Sequence, residues 1–254
     1  MSTELVAAVC FALAVCAGAT ILLRRSLSKS AAAPAEKLPL PVSRAPEAER
    51  KRIVALIDAA SKSVTDDEFA DHFGSPSSIL SDRLDGCGMK MLRTENDGNC
   101  LFAALAFSLF GSPAHHAVVR KAAVAHMRAR REYFALFFDG AGGLDGYLAR
   151  MSQDKTWGDE LVIRAVVEAY GCDAHVVSSA SRGWYLRYTP DEPCGVEQKI
   201  TAKGCVAPAP FAYAPKGLDA PALGTEVFLS YVVPNHYNAV AAQEAPRESA
   251  EVKK

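Results

Sequence analysis

The chain has 254 residues, enough for one sizeable core with appended segments. Half of them are hydrophobic, and 28 Lys and Arg stand against 29 Asp and Glu, a formal net charge of −1. That balance excludes the basic footprint of a nucleic-acid binder. Seven cysteines with no Cys-x-x-Cys spacing argue against a zinc site or redox pair and fit a reducing compartment. No metal or cofactor is expected.

Residues 5–23 carry no charge across nineteen positions, close to the length of a helix that crosses a bilayer core. Arg24, Arg25 and Lys29 follow at once, and a basic flank on that side predicts a single-pass anchor with the remaining chain in the cytosol. The charge order is the reverse of a secretory signal peptide, although Ala17-Gly18-Ala19 also resembles a cleavage site. A short, Ala-rich span suits a thin bilayer such as the endoplasmic reticulum. Ala31-Ala32-Ala33-Pro34 and Leu38-Pro39-Leu40-Pro41 make the next stretch read as an extended spacer. The expected organisation is an anchor at 1–25, a linker at 26–46, a helical extension at 47–88, a main domain at 89–241 and a charged tail at 242–254.

Ile53, Leu56, Ile57 and Ala60 fall at helical spacing and predict a first helix over residues 47–60. Asp66-Asp67-Glu68 before Phe69 starts a candidate short helix, and residues 73–88, rich in serine, read as turns. Residues 89–94 form a short strand or extended segment. After the polar turn Asn96-Asp97-Gly98-Asn99, an apolar run from Cys100 to Phe110 reads as a buried helix, stopped by Gly111-Ser112-Pro113. A longer helical region covers 115–138, with Val118, Val119, Ala122, Ala125, His126 and Ala129 periodic and Arg120, Lys121, Arg128, Arg130 and Arg131 on a solvated basic face. His115, His116 and His126 read as surface or half-buried residues of that helix. Phe134, Phe137, Phe138 and Tyr147 surround a loop of glycines.

Trp157-Gly158-Asp159-Glu160-Leu161 opens a helix through Tyr170 that Gly171 closes, with Trp157 expected to plug the core. Strands follow at 175–178 and 184–188, joined by Ser181-Arg182-Gly183. Residues 189–225 hold six prolines and little periodicity, a long loop of the kind that is functional or disordered. Two final strands, 227–233 and 237–240, are joined by a Pro-Asn turn.

Cys100 in the first turn of its helix meets backbone N–H groups and a dipole that favour a thiolate. Asp97 and Asn99 are candidate caps or turn formers. A nucleophilic cysteine needs a base, and His236 stands in Pro234-Asn235-His236-Tyr237-Asn238, at the start of the last strand. Period-2 alternation puts Asn238 on the same face, where its amide oxygen can hold the imidazole. On residues alone, a core cysteine and a surface histidine are the more ordinary reading, because buried cysteines are common.

Three motifs in order, Asp97-Gly98-Asn99-Cys100-Leu101-Phe102-x-Ala104, Trp157-Gly158-Asp159-Glu160-Leu161 and His236-Tyr237-Asn238, resemble the ovarian-tumour (OTU) family of papain-like cysteine proteases over residues 89–240. The resemblance implies an α+β fold with a central, mostly antiparallel sheet between helical regions, here preceded by the single transmembrane helix. It implies Cys100 as nucleophile, His236 as general base and acid, Asn238 as the residue orienting it, and Asp97 as support for an oxyanion loop built from the backbone of Asp97, Gly98, Asn99 and Cys100. Long loop 189–225 then counts as an insertion. The implied substrates are ubiquitin and polyubiquitin conjugates, with Tyr237 a candidate wall of the channel for ubiquitin's tail or a packed core residue. A protease for a ubiquitin-like modifier, or a silent ubiquitin-binding adaptor at a membrane, are the alternatives.

Overall fold

The computed structural model describes residues 38–63, 75–140, 142–190, 213–234 and 236–243. The expected span at 5–23, most of the linker, the short helix near Asp66, the middle of the long loop and the tail beyond Gln243 lie outside the described residues. Among the described residues no single helix is long and apolar enough to cross a membrane.

The helices are α1 (Glu47–Ser63), α2 (Pro76–Gly86), α3 (Cys100–Phe110), α4 (His116–Ala129), α5 (Arg131–Ala135), α6 (Gly143–Met151) and α7 (Glu160–Tyr170). The strands are β1 (Met89–Leu92), β2 (Asp173–Ser178), β3 (Tyr185–Tyr188), β4 (Glu226–Val232) and β5 (His236–Ala242). They form one sheet in the order β1-β5-β4-β2-β3. Every neighbouring pair is antiparallel except β2 with β4. The fold is thus mixed α+β with helices on both faces of a mostly antiparallel sheet, as the resemblance implies.

Strand alternation divides the core in two. Val176, Val227, Leu229 and Ala239 face α3, α4, α6 and α7. Met89, Val177, Phe228 and Val240 face Ile53 and Ile57 of α1 and Leu80 and Leu84 of α2. Each of these Val, Leu, Ile, Phe and Met side chains, fully buried, contributes about 1.5–3 kcal/mol of transfer free energy.

Two helices depart from the sequence reading. The serine-rich stretch expected to be turns holds α2, because Ser75 is an N-cap whose Oγ accepts the Ser78 N–H at 3.2 Å and Pro76 sits in the first turn. Serines that look like a loop are the start signal of a helix. The glycines around Tyr147 hold α6, whose Leu144, Tyr147, Leu148 and Met151 are buried at i, i+3, i+4 and i+7. Farther back, the long helix expected over 115–138 breaks at Arg130, where ψ rises to 38° and separates α4 from α5.

α3 runs through the first core with ten of its eleven residues buried. Gly111, at φ 79°, gives it a left-handed C-terminal cap that a side chain would strain. Ser108 is its one polar buried residue: its Oγ accepts the Phe228 N–H of β4 at 3.1 Å, and its carbonyl accepts the Ser43 hydroxyl.

Candidate active site

Loop 97–100 closes on itself. Asp97 Oδ1 accepts the Asn99 N–H at 2.9 Å and Oδ2 accepts the Asn99 amide at 3.0 Å. These bonds, that to the Asn99 backbone first, hold the Asp97 carboxyl below its ordinary range. Asn99 occupies the N-cap position of α3 without making a side-chain cap. Its buried amide oxygen instead accepts the Lys155 N–H at 3.1 Å and Arg120 Nη2 at 2.7 Å.

Arg120 was read from sequence as part of a solvated basic face, and it is buried. Its guanidinium also donates to Thr156 O at 2.8 Å and Met151 O at 3.1 Å and lies 3.8 Å over the Phe102 ring. Burial pushes its pKa down, with Asp154 and Asp97 opposing the shift. One side chain of α4 thereby ties loop 97–100 to the segment after α6. The signal was present in its spacing: Arg120, Ala123 and Met127 share one helical face at i, i+3 and i+7, and all are buried.

His126 also departs from its expected exposure. It is buried and its Nε2 lies 2.7 Å from Glu168 Oε2 of α7, an ionisable pair that only pairing makes tolerable inside.

Glycines set the close approaches. At Gly98, with φ 89°, a Cβ would stand 1.9 Å from Lys155 O. At Gly158 a Cβ would stand 2.8 Å from Leu101 Cδ2 and 3.0 Å from the Phe102 ring. Contact between this segment and α3 is therefore backbone against side chain, leaving no room for an indole beneath it. Trp157, expected to plug the core, is 50% exposed. Asp159 caps α7, its Oδ1 accepting the N–H groups of Leu161 and Val162 and the Tyr147 hydroxyl.

On the opposite side, β1 stops pairing with β5 at Leu92 opposite Ala239. Two residues later Thr94 continues that pairing with different atoms. Its N–H donates to Asn238 Oδ1 at 3.2 Å, and its hydroxyl donates to Tyr237 O at 2.5 Å. The same Thr94 Oγ1 lies 3.4 Å from His236 Nε2. His236 Nδ1 is closed off from solvent and has no hydrogen-bond partner among the described residues. Asn238 is buried, and among the described residues its amide oxygen serves Thr94 and not the imidazole.

β5 lies along α3, so the thiol helix and the histidine strand are neighbours. Tyr231, paired across the ladder with Tyr237, has its hydroxyl pKa raised by burial and then by the charge of Cys100. The Tyr231 and Tyr237 rings lie with centroids 4.4 Å apart at a 31° tilt, and burial pushes Tyr237 up as well. Cys100 is buried and forms no disulfide. Among the described residues no cluster of His, Cys, Asp or Glu has the geometry to hold a metal.

A family model described as OTU-like cysteine protease matches residues 95–204, from the turn before Cys100 into the long loop. An Arabidopsis thaliana protein, ovarian tumor domain-containing deubiquitinating enzyme 9, is 30% identical over 125 residues, 49% of this chain and 34% of its own length. Deubiquitinating enzyme 6 of that series, also from Arabidopsis thaliana, is 32% identical over 109 residues, 42% of this chain and 21% of its own length. The chain therefore spans between 21% and 34% of the length of these curated relatives. Of solved structures, the OTU domain of OTUD1 aligns with 65% of this chain and 94% of its own at 15% identity, with a TM-score of 0.46. That overlap is too loose to carry an argument, and the assignment rests on the sequence matches. With the motifs that they share, these sequence matches support the resemblance to the OTU family of cysteine proteases over residues 95–204.

Proposed function

We propose that this chain is a cysteine-type deubiquitinase that hydrolyses the bond at the C-terminus of ubiquitin. What supports the reading most is the state of loop 97–100. Asp97 and Arg120 hold it rigid, and the Asn99 N–H is engaged by Asp97. Among the described residues the N–H groups of Gly98 and Cys100 have no partner. Two unengaged donors beside a cysteine at a helix start are the makings of an oxyanion hole. Ubiquitin as substrate follows from the relatives, whose names call them deubiquitinating enzymes.

Cys100 Sγ attacks the carbonyl carbon of ubiquitin's last residue as His236 takes the thiol proton. The carbonyl oxygen becomes an oxyanion held by the Gly98 and Cys100 N–H groups, each donor worth about 3–4 kcal/mol in a comparable protease. Collapse breaks the bond to the lysine amine, which leaves with the proton from His236. Water, deprotonated by His236, then attacks the thioester, releasing the ubiquitin carboxylate and the thiol. Asn238 completes a Cys-His-Asn set by fixing the segment against which the imidazole rests. Tyr237 and Tyr231 form a wall of the channel for ubiquitin's tail. Residues 5–23 tether the enzyme to a membrane, that of the endoplasmic reticulum by thickness, with the catalytic domain in the cytosol; alkaline carbonate should leave the chain in the membrane pellet.

The test is labelling of the full chain in detergent with an electrophilic ubiquitin C-terminal probe. A covalent adduct is expected for the parent and none for Cys100→Ala. An adduct that survives Cys100→Ala removes Cys100 from the nucleophile role. Labelling by a ubiquitin-like probe in preference to ubiquitin reassigns the substrate.

A further inference from the structure

We propose that Thr94 is the positioning residue of the catalytic imidazole, setting which nitrogen of His236 is the base. The inference rests on the reading of His236 as that base and adds what selects its reactive atom. A threonine hydroxyl has one hydrogen to give. Here it goes to Tyr237 O at 2.5 Å, a carbonyl that can only accept. Toward His236 Nε2, 3.4 Å away, Thr94 Oγ1 therefore presents lone pairs. Such a contact is attractive only when Nε2 carries the proton. The neutral ring is thus the Nε2–H tautomer, and its lone pair sits on Nδ1, the atom left buried and without a partner among the described residues.

When Nδ1 takes the thiol proton, the ring becomes an imidazolium and Nε2–H strengthens its bond to the same oxygen, since a charged donor makes the stronger hydrogen bond. One side chain thus serves the base before proton transfer and the acid after it. A contact of 3.4 Å is of the length that tightens in a reacting complex.

Asn238 acts one step back. Its amide oxygen accepts the Thr94 N–H at 3.2 Å and fixes where the hydroxyl stands. The orienting task is divided: Asn238 holds Thr94, and Thr94 holds His236. The segment can do this because β1 has already ended at Leu92. Past that point β5 still offers the Tyr237 carbonyl and the Asn238 amide, and Thr94 meets them with backbone and side chain together.

Two measurements decide the matter. In the full chain labelled with ¹⁵N-histidine, the ring signals of His236, identified by their loss in His236→Gln, should report an Nε2–H tautomer; an Nδ1–H tautomer overturns the proposal without any change at Thr94. In kinetics on a ubiquitin substrate, Thr94→Val should lower kcat about tenfold to a hundredfold, the worth of a charge-assisted hydrogen bond, with KM changed less than about twofold. Its acidic limb should move to lower pH, because the imidazolium loses an acceptor and gives up its proton sooner, leaving the neutral base available at lower pH. Thr94→Ser keeps the hydroxyl and should restore both kcat and the limb. A Thr94→Ser variant as impaired as Thr94→Val, or a Thr94→Val variant whose limb stays in place, would mean that Thr94 only packs. Probe labelling of the parent, absent in Cys100→Ala, shows independently whether the underlying catalytic reading holds.

Discussion

Replacing Arg120 by methionine isolates what its guanidinium does, because the thioether keeps most of the stem packing over Phe102. Three bonds of 3.1 Å or less are lost, to Met151 O, Asn99 Oδ1 and Thr156 O. Asn99 Oδ1 retains the Lys155 N–H, so the two main-chain carbonyls are left bare. A bare buried acceptor costs about 1–3 kcal/mol, or roughly 2–6 kcal/mol for the pair. Removing a charge from the interior returns part of that, since burying a guanidinium without a contacting carboxylate is itself unfavourable. The net expectation is a loss of about 2–3 kcal/mol, which lowers Tm by roughly 4–12 °C for a domain of this size. The loop also loses the brace that fixes its two unengaged N–H groups, so probe labelling of Cys100 should slow at least about tenfold at a temperature where the variant is still folded. Thermal melting by circular dichroism and the labelling rate are read on the same preparation. A variant that melts within about 1 °C of the parent and labels at the parent's rate refutes the reasoning, because the loop would then be held by Asp97 alone.

Two further substitutions probe the same corner. Asp97→Asn should slow labelling above about pH 4, where the parent carboxylate is ionised. The folded-state pKa is depressed, so the parent's advantage is present above the unfolded value and disappears as pH falls through the folded one; a gap between the two proteins that never narrows as the pH is lowered contradicts this. Trp157→Ala should cost less than about 1 kcal/mol, against about 3–5 kcal/mol for an indole truly in the core, and denaturant unfolding separates the two values.

The parts of the site that sequence reveals are those whose chemistry is local. A glycine turn before a cysteine and an apolar helix is one continuous string, and so is a histidine at a strand start. Arg120 and Thr94 are different. An arginine among other basic residues of a helix looks solvated unless its place on the buried face is counted, and its partners lie 21 and 36 residues away. Thr94 contacts residues 142 to 144 positions distant, and nothing near it announces them. Trp157 is exposed against expectation because hydrophobicity says how much burial is worth, not whether a neighbouring glycine has already brought the backbone too close to the Leu101 and Phe102 side chains for a ring to fit. α2 and α6 were missed for the reverse reason, serine and glycine being read as breakers where they cap or merely interrupt an apolar stripe.

Ser108 has a consequence for aim. A helix sheathed in Leu, Ala and Phe is gripped firmly but without direction, since apolar contact is nearly indifferent to a small slide or roll along the axis. Ser108 supplies the missing detent: its hydroxyl is keyed to the Phe228 N–H, and its carbonyl to Ser43. It lies about 12 Å along the helix from Cys100. The bearing of the sulfur is thus indexed from the far side of the core, by a residue whose contribution to holding the protein together is small.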